Sequence, residues 1–321
     1  MKFLKNSLLL TLIIVFTSCK PDYLKYTEQP DYITQPNEKL KPYFEAYDAS
    51  LKLWDIPVEE LYIPTSFGTA HVVVSGPTNG EPLVLLHGMN ASSTMWYPNA
   101  KALSNAHRLF AIDFILEPGK SLKTGTFDDV EQIAIWYNEI FDKLKLKEFT
   151  LVGASRGGWI SMKIALQNQE RIKKMVLLSP AQTFIWIRPS TDLLKNIIAL
   201  FSSEEKQIEQ SLKSMSSNVG NIDKTYLNQY YKSEANDSIN KFFFDMKPFS
   251  KRDFQSLKMP VLVLIGDDDV INNSKTIQMA KTLIPKGQGE IIENAGHFLT
   301  VDQADMVNTK IIEFLNADKT Q

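Results

Sequence analysis

The sequence predicts an α/β fold: a mostly parallel central sheet with helices on both faces and an inserted helical cap. Three observations carry this. Short, nearly unbroken apolar runs ("EPLVLLHG", "HRLFAID", "EFTLVGA", "KKMVLLSP" and "PVLVLIGD") recur along the chain, as strands buried on both faces would. Each run is separated from the next by helical or loop material, the alternation that builds a parallel sheet. Residues 181–258 break the rhythm. They hold no run of this type but carry the amphipathic helical stretches "TDLLKNIIALF" and "EEKQIEQSLKSM".

Composition bounds the function. With 321 residues, 44% hydrophobic and 22% charged, the chain can bury roughly three quarters of its unfolded surface as one large domain with an insertion. A net charge of −2 and a pI near 6.1 leave no basic excess for nucleic acid, which is set aside.

The elements follow in order. "MKFLKNSLLLTLIIVFTSCK" places Lys2 and Lys5 before an apolar run and small residues before Cys19, the pattern of a secretory signal over residues 1–18. "FTSC" resembles a bacterial lipobox, which implies cleavage before Cys19 and acylation of that cysteine. An ordinary signal cut nearby is the alternative. Cys19 is the only cysteine, so no intramolecular disulfide forms. Residues 19–44 mix Pro, Tyr and charge without a period, and are expected to be a tether outside the fold. The core is expected over 45–182, the cap over 183–256 and the rest of the core over 257–321. "LYIP" and "AHVVVSG" read as paired strands, with Gly76-Pro77 and Asn79-Gly80 as turn chemistry after the second. The aromatics of the insertion, Phe184, Trp186, Phe242, Phe243 and Phe244, are expected to pack within the cap.

In "LVGASRGGWIS" a serine sits where strand becomes helix. A nucleophile at such a turn needs a strained backbone with strand and helix in close contact, leaving room only for small residues two before and two after it. Gly153 and Gly157 occupy those positions around Ser155. The same turn aims the Arg156 N–H at any oxyanion formed when Ser155 attacks a carbonyl. A serine that merely caps the helix is the bland reading.

A serine hydroxyl needs a base and a group that orients the base. "VLVLIGDDDVI" ends a strand in an acidic loop, where Asp267, Asp268 and Asp269 compete for the acid; a run of Asp here also suits a turn. "IIENAGHFL" ends the following strand with His297. Of the other histidines, His71 and His107 lie far in sequence from the acidic loop, and His87 shapes the turn at Gly88. Calcium is disfavoured because the ligand spacing and distal Glu are missing.

With these residues assembled, the chain resembles the α/β-hydrolase superfamily over residues 45–317. "HGMNASSTMWYPN", "GASRGG", "LLSPAQTF", "GDDDVI" and "AGHF" look most like small bacterial carboxylesterases of the naproxen-esterase type. The resemblance implies that Asp269, last in G-x-x-D, is the acid. It also implies that the backbone N–H of Met89, immediately after His-Gly, is the second oxyanion donor. Two departures stand out. Relatives often carry D-x-x-G-x-G-x-S where this chain has "DFILEPGKS", with Leu116 for the first glycine and Lys120 after Gly119. Relatives also often have Met, Leu or Gln at the place of Arg156, whose side chain is expected to point to solvent rather than to an acidic substrate group.

The expected function is cleavage of small-molecule carboxylic esters through an acyl-enzyme, with no cofactor, by an exported bacterial cell-envelope lipoprotein. Lactone, thioester, amide and carbon–carbon hydrolysis share the same triad. Haloalkane and epoxide hydrolysis would need an Asp nucleophile. A lipid-anchored binding protein that keeps the fold without turnover is the alternative from another class.

Overall fold

The computed structural model describes residues 22–187, 205–233 and 245–317. Cys19, the stretch "TDLLKNIIALF" and Phe242, Phe243 and Phe244 lie outside the described residues. The strands are β1 (Val58–Thr65), β2 (Gly68–Ser75), β3 (Glu81–Leu86), β4 (His107–Ile112), β5 (Leu122–Lys123), β6 (Phe149–Ala154), β7 (Ile172–Leu178), β8 (Val261–Gly266) and β9 (Gly287–Ile292). They form one sheet in the order β1-β2-β4-β3-β6-β7-β8-β9, with β5 paired to β2. The pairs from β4 to β9 are parallel, and β2 is antiparallel to β1, β4 and β5. Among the described strands, the two-residue β5 alone has no signature in the sequence.

Both faces of the sheet are covered, which is why its strands are continuously apolar. Side chains alternate between two cores. Val84 and Leu86 join one, and Leu83 and Leu85 the other; Val261 and Val263 face the first, Leu262 and Leu264 the second. The helix Glu131–Lys143 supplies Ile133, Trp136, Tyr137, Ile140 and Phe141 to the first core, at the spacing of one helical face. The helix Ala304–Asn316 supplies Val307, Ile311, Phe314 and Leu315 to the second in the same way.

The described part of residues 19–44 is not a free tether. Tyr23 is buried, with its ring edge-on to Phe110, and its hydroxyl accepts hydrogen bonds from Arg108 Nε at 3.1 Å and Nη2 at 2.7 Å. Tyr32 Oη donates to Lys120 O at 2.9 Å. The helix Lys41–Leu51 then buries Tyr43 and Phe44. These contacts are tertiary, so a segment without any local period still docks.

Between β7 and β8, the helices Glu205–Met215 and Lys224–Lys232 bury Ile208, Leu212, Met215 and Tyr230 in a separate cluster with Ala181 and Ile271. Two aromatics depart from the expected cap packing. Phe184 stacks on Phe254 at 4.6 Å within the main core, and Trp186 is 57% exposed.

Candidate active site

Ser155 stands at the C-terminal end of β6, before the helix Arg156–Asn168. Its φ of 51° and ψ of −116° are strained for a residue with a side chain. Backbone bonds hold it there: Ser155 N–H donates to Leu178 O at 2.8 Å, and its carbonyl accepts from Gly158 N–H at 3.0 Å and Ala181 N–H at 3.2 Å. The two glycines are required by space. A Cβ on Gly153 would lie 2.2 Å from Gly157 O, and one on Gly157 would lie 2.2 Å from Leu86 O.

The loops after β8 and β9 deliver two further residues. His297 Nε2 is 2.9 Å from Ser155 Oγ, and its Nδ1 is 2.9 Å from Asp269 Oδ1. A carboxylate only accepts, so Nδ1 carries the proton and the Nε2 lone pair faces the serine hydroxyl. Asp269 Oδ1 also accepts from Ile271 N–H at 2.9 Å and Asn272 N–H at 3.2 Å, and Oδ2 from Asn272 Nδ2 at 2.9 Å. Burial alone would raise this carboxyl, but His297 and these donors hold it well below the usual carboxylate range. The neighbouring acids do other things. Asp267 accepts Ala295 N–H at 3.0 Å, tying the two loops together, and exposed Asp268 reaches Ser217 Oγ at 3.4 Å.

Opposite Ser155 lies the turn after β3. His87 Nδ1 donates to Gly88 O at 2.8 Å, while its Nε2 accepts Phe114 N–H at 2.8 Å. Burial pushes its pKa down to about 4, so His87 is a neutral brace for the turn. The backbone amides of Met89 and Arg156 have no acceptor among the described residues, and both residues line one cavity with Ser155 and His297. That cavity, about 90 Å³, is otherwise lined chiefly by apolar side chains, among them Met95, Leu212, Met215, Tyr226 and Phe298.

The other histidines stay away from Ser155. His107 Nδ1 bonds to Leu103 O at 3.2 Å. His71 lies between Asp113 Oδ2 and Glu60 Oε2, each at 2.9 Å. Burial would lower its pKa, but the two carboxylates raise it, so both ring nitrogens donate.

These observations meet in known proteins. A family model described as the alpha/beta hydrolase fold matches residues 81–304. The chain belongs to this family. It is 32% identical over 283 residues to an uncharacterized carboxylesterase, nap, of Bacillus subtilis, covering 86% of this chain and 93% of that protein. It is equally similar to the carboxylesterase YbfK of the same organism, covering 85% and 93%. The crystal structure of naproxen esterase from Bacillus subtilis superposes with a TM-score of 0.80 at 31% identity, covering 87% of this chain and 99% of that one. The protein is a hydrolase of the alpha/beta hydrolase family.

Against that family background, both departures resolve structurally. Lys120 is buried, its Nζ 2.5 Å from Asp48 Oδ1 and 2.6 Å from Glu60 Oε2. Arg156 does not point to solvent. Its side chain and that of Glu117, with which it is ion-paired, are each 5% exposed, and its guanidinium lies 5.1 Å from the Phe114 ring centroid. The cation beside Ser155 is buried against a carboxylate of the departing loop; burial raises the Glu117 carboxyl above its ordinary value, and the Arg156 charge and the Asn90 amide pull it back down. Glu117 and Asp302 escaped the sequence reading. Asp302 Oδ2 accepts Gly296 N–H at 2.8 Å and Ser217 N–H at 3.0 Å, holding the His297 loop against the inserted segment. The signal for Glu117 was present as an Arg and a Glu in the two stretches that depart from the family pattern.

Proposed function

We propose that the protein hydrolyses carboxylic esters through an acyl-enzyme on Ser155. The observation that carries this reading is the chain of two 2.9 Å hydrogen bonds from Ser155 Oγ through His297 to Asp269, at the wall of an apolar cavity. His297 Nε2 takes the Ser155 proton as Oγ bonds to the ester carbonyl carbon. The carbonyl oxygen becomes an oxyanion facing the Met89 and Arg156 amides. Protonated His297 then gives its proton to the departing alkoxide, and the acyl group stays on Oγ. Water attacks that ester next, losing its proton to His297, and collapse returns the proton to Ser155 and releases the acid. Asp269 remains ionised throughout and stabilises the imidazolium.

The apolar lining favours an uncharged, apolar acyl or alcohol group. Ser155→Ala and His297→Ala are expected to lower turnover of an aryl ester by about 10⁴- to 10⁶-fold. Retention of most activity in a folded variant would sink the mechanism. A panel of esters, thioesters, amides and lactones separates the bond types, and labelling of Ser155 by a serine-directed phosphonate separates an enzyme from a binding protein.

We also propose that Cys19 is acylated and holds the exported protein on a bacterial membrane. The "FTSC" ending of the apolar run supports it. Because Tyr23 is docked on Arg108, near the start of β4, the chain from Cys19 to Tyr23 can span at most about 14 Å. The ends of the strands opposite Ser155 would then face the bilayer. Wild-type protein is expected in the membrane fraction, whereas Cys19→Ser loses its acyl groups; a soluble, unacylated wild type would end this reading.

A further inference from the structure

One carboxylate touches both sides of the site. Glu117 Oε2 accepts the backbone N–H of Asn90 at 2.8 Å, and its Oε1 pairs with the Arg156 guanidinium. Asn90 directly follows Met89, and Arg156 directly follows Ser155. Both partners of Glu117 therefore sit on, or next to, Met89 and Arg156, which line one cavity with Ser155. Asn90 is itself in the left-handed region at φ 55°, and its Nδ2 donates to Tyr230 Oη at 3.0 Å. The Met89 turn carries no regular ladder, so contacts from its surroundings orient it: this bond to Glu117, the brace from His87, and Gly88 N–H donating to Met95 Sδ at 3.3 Å among them.

A stability role does not account for the pair. Burying two charges costs about as much as their attraction returns, and an apolar pair of the same volume often does as well. Geometry is what an ion pair supplies here. Oxyanion donors must stay about 2.7–3.1 Å from the developing charge; β3 and β6 are paired only as far as Leu86 and Gly153, and the Met89 and Arg156 amides lie beyond the end of that ladder.

We propose that Glu117 is a positioning residue that locks the Met89 turn to the Arg156 helix terminus and so sets the spacing of the two oxyanion amides. The proposal rests on the acyl-enzyme reading above. The guanidinium of Arg156, itself a departure from the family pattern, and the Glu117 carboxylate of the 113–121 loop form one device.

The test is a cycle of wild type, Glu117→Gln, Arg156→Met and the double variant, with kcat and KM measured on an aryl ester and Tm measured for each. Displacing a donor should cost less than removing one, so Glu117→Gln is expected to lower kcat about 10- to 100-fold with KM within about threefold. The double variant should lose about as much as the worse single rather than the product of the two. If Glu117→Gln or Arg156→Met fails to fold around its uncompensated partner, the uncharged double variant still decides. A folded double variant with kcat within about twofold of wild type overturns the proposal, as does a rise in KM at unchanged kcat. Ser155→Ala in the same assay separates the two readings. If it is as active as wild type, the acyl-enzyme reading fails; if it is inactive while the Glu117 variants are normal, only the positioning role fails.

Discussion

Replacing Asp269 by asparagine tests which property of that side chain matters, its charge or its acceptor geometry. Asp269 Oδ1 receives three donors, His297 Nδ1 and the backbone amides of Ile271 and Asn272. An asparagine has a single oxygen, and the two backbone donors cannot move, so the oxygen takes the Oδ1 position. The new amide nitrogen then faces Asn272 Nδ2, now 2.9 Å from Oδ2, and that side chain must turn. His297 Nδ1 keeps an acceptor and the imidazole keeps its tautomer. What is lost is the negative charge beside the imidazolium. Two unit charges about 4 Å apart at an effective dielectric of about 20 attract by about 4 kcal/mol, of which a neutral hydrogen bond retains about 1 kcal/mol. The remaining ~3 kcal/mol corresponds to a loss in kcat of about 10²-fold. Asp267→Asn and Asp268→Asn should stay within about twofold, because an amide oxygen can still accept Ala295 N–H and exposed Asp268 contacts neither His297 nor Ser155. Stopped-flow and steady-state kinetics on an aryl ester measure all three. A larger loss at Asp267 or Asp268 would reassign the acid. A loss near 10⁴-fold at Asp269→Asn would mean the tautomer had reversed, refuting the placement argued from the three donors.

Three other outcomes follow from the packing. Gly157→Ala puts a Cβ 2.2 Å from Leu86 O and 2.7 Å from His87 O, so the helix must retreat by about 1 Å, with an expected loss near 10²-fold in kcat and a lower Tm; a folded variant with normal kcat contradicts this. Tyr23→Ala should cost about 2–3 kcal/mol in urea unfolding, since it removes a buried ring and one of the acceptors of Arg108, which keeps Gly76 O and Glu59, and an unchanged midpoint would show that this segment is not docked. Burial would raise the Glu60 carboxyl, but His71 and Lys120 lower it to about 2, so its contribution to stability is complete above the ordinary carboxylate range and is lost as pH falls towards 2. The Tm gap between wild type and Glu60→Gln should therefore be widest near neutral pH and close in acid; a gap independent of pH would remove the ion pairs from the account.

Much of this protein was legible in one dimension because its determinants are local. A strand buried on both faces must be apolar throughout, so β3, β4, β6, β7 and β8 announced themselves, and with them the sheet edge where Ser155 emerges. The need for small residues around that turn is a constraint on neighbours two positions away, which is why Gly153 and Gly157 could be read directly. The order of serine, acidic loop and histidine was equally visible, though choosing Asp269 among three adjacent aspartates depended on family resemblance. Tertiary structure alone decided matters that depend on partners distant in the chain. Residues 22–44 have no period, yet Tyr23 docks because Arg108 and Phe110, some 85 residues away, complete its surroundings. A lone arginine reads as solvent-exposed because burying an unpaired charge is costly. Arg156 is buried because the chain turns back to place Glu117 against it, and only the folded chain shows which charge answers which.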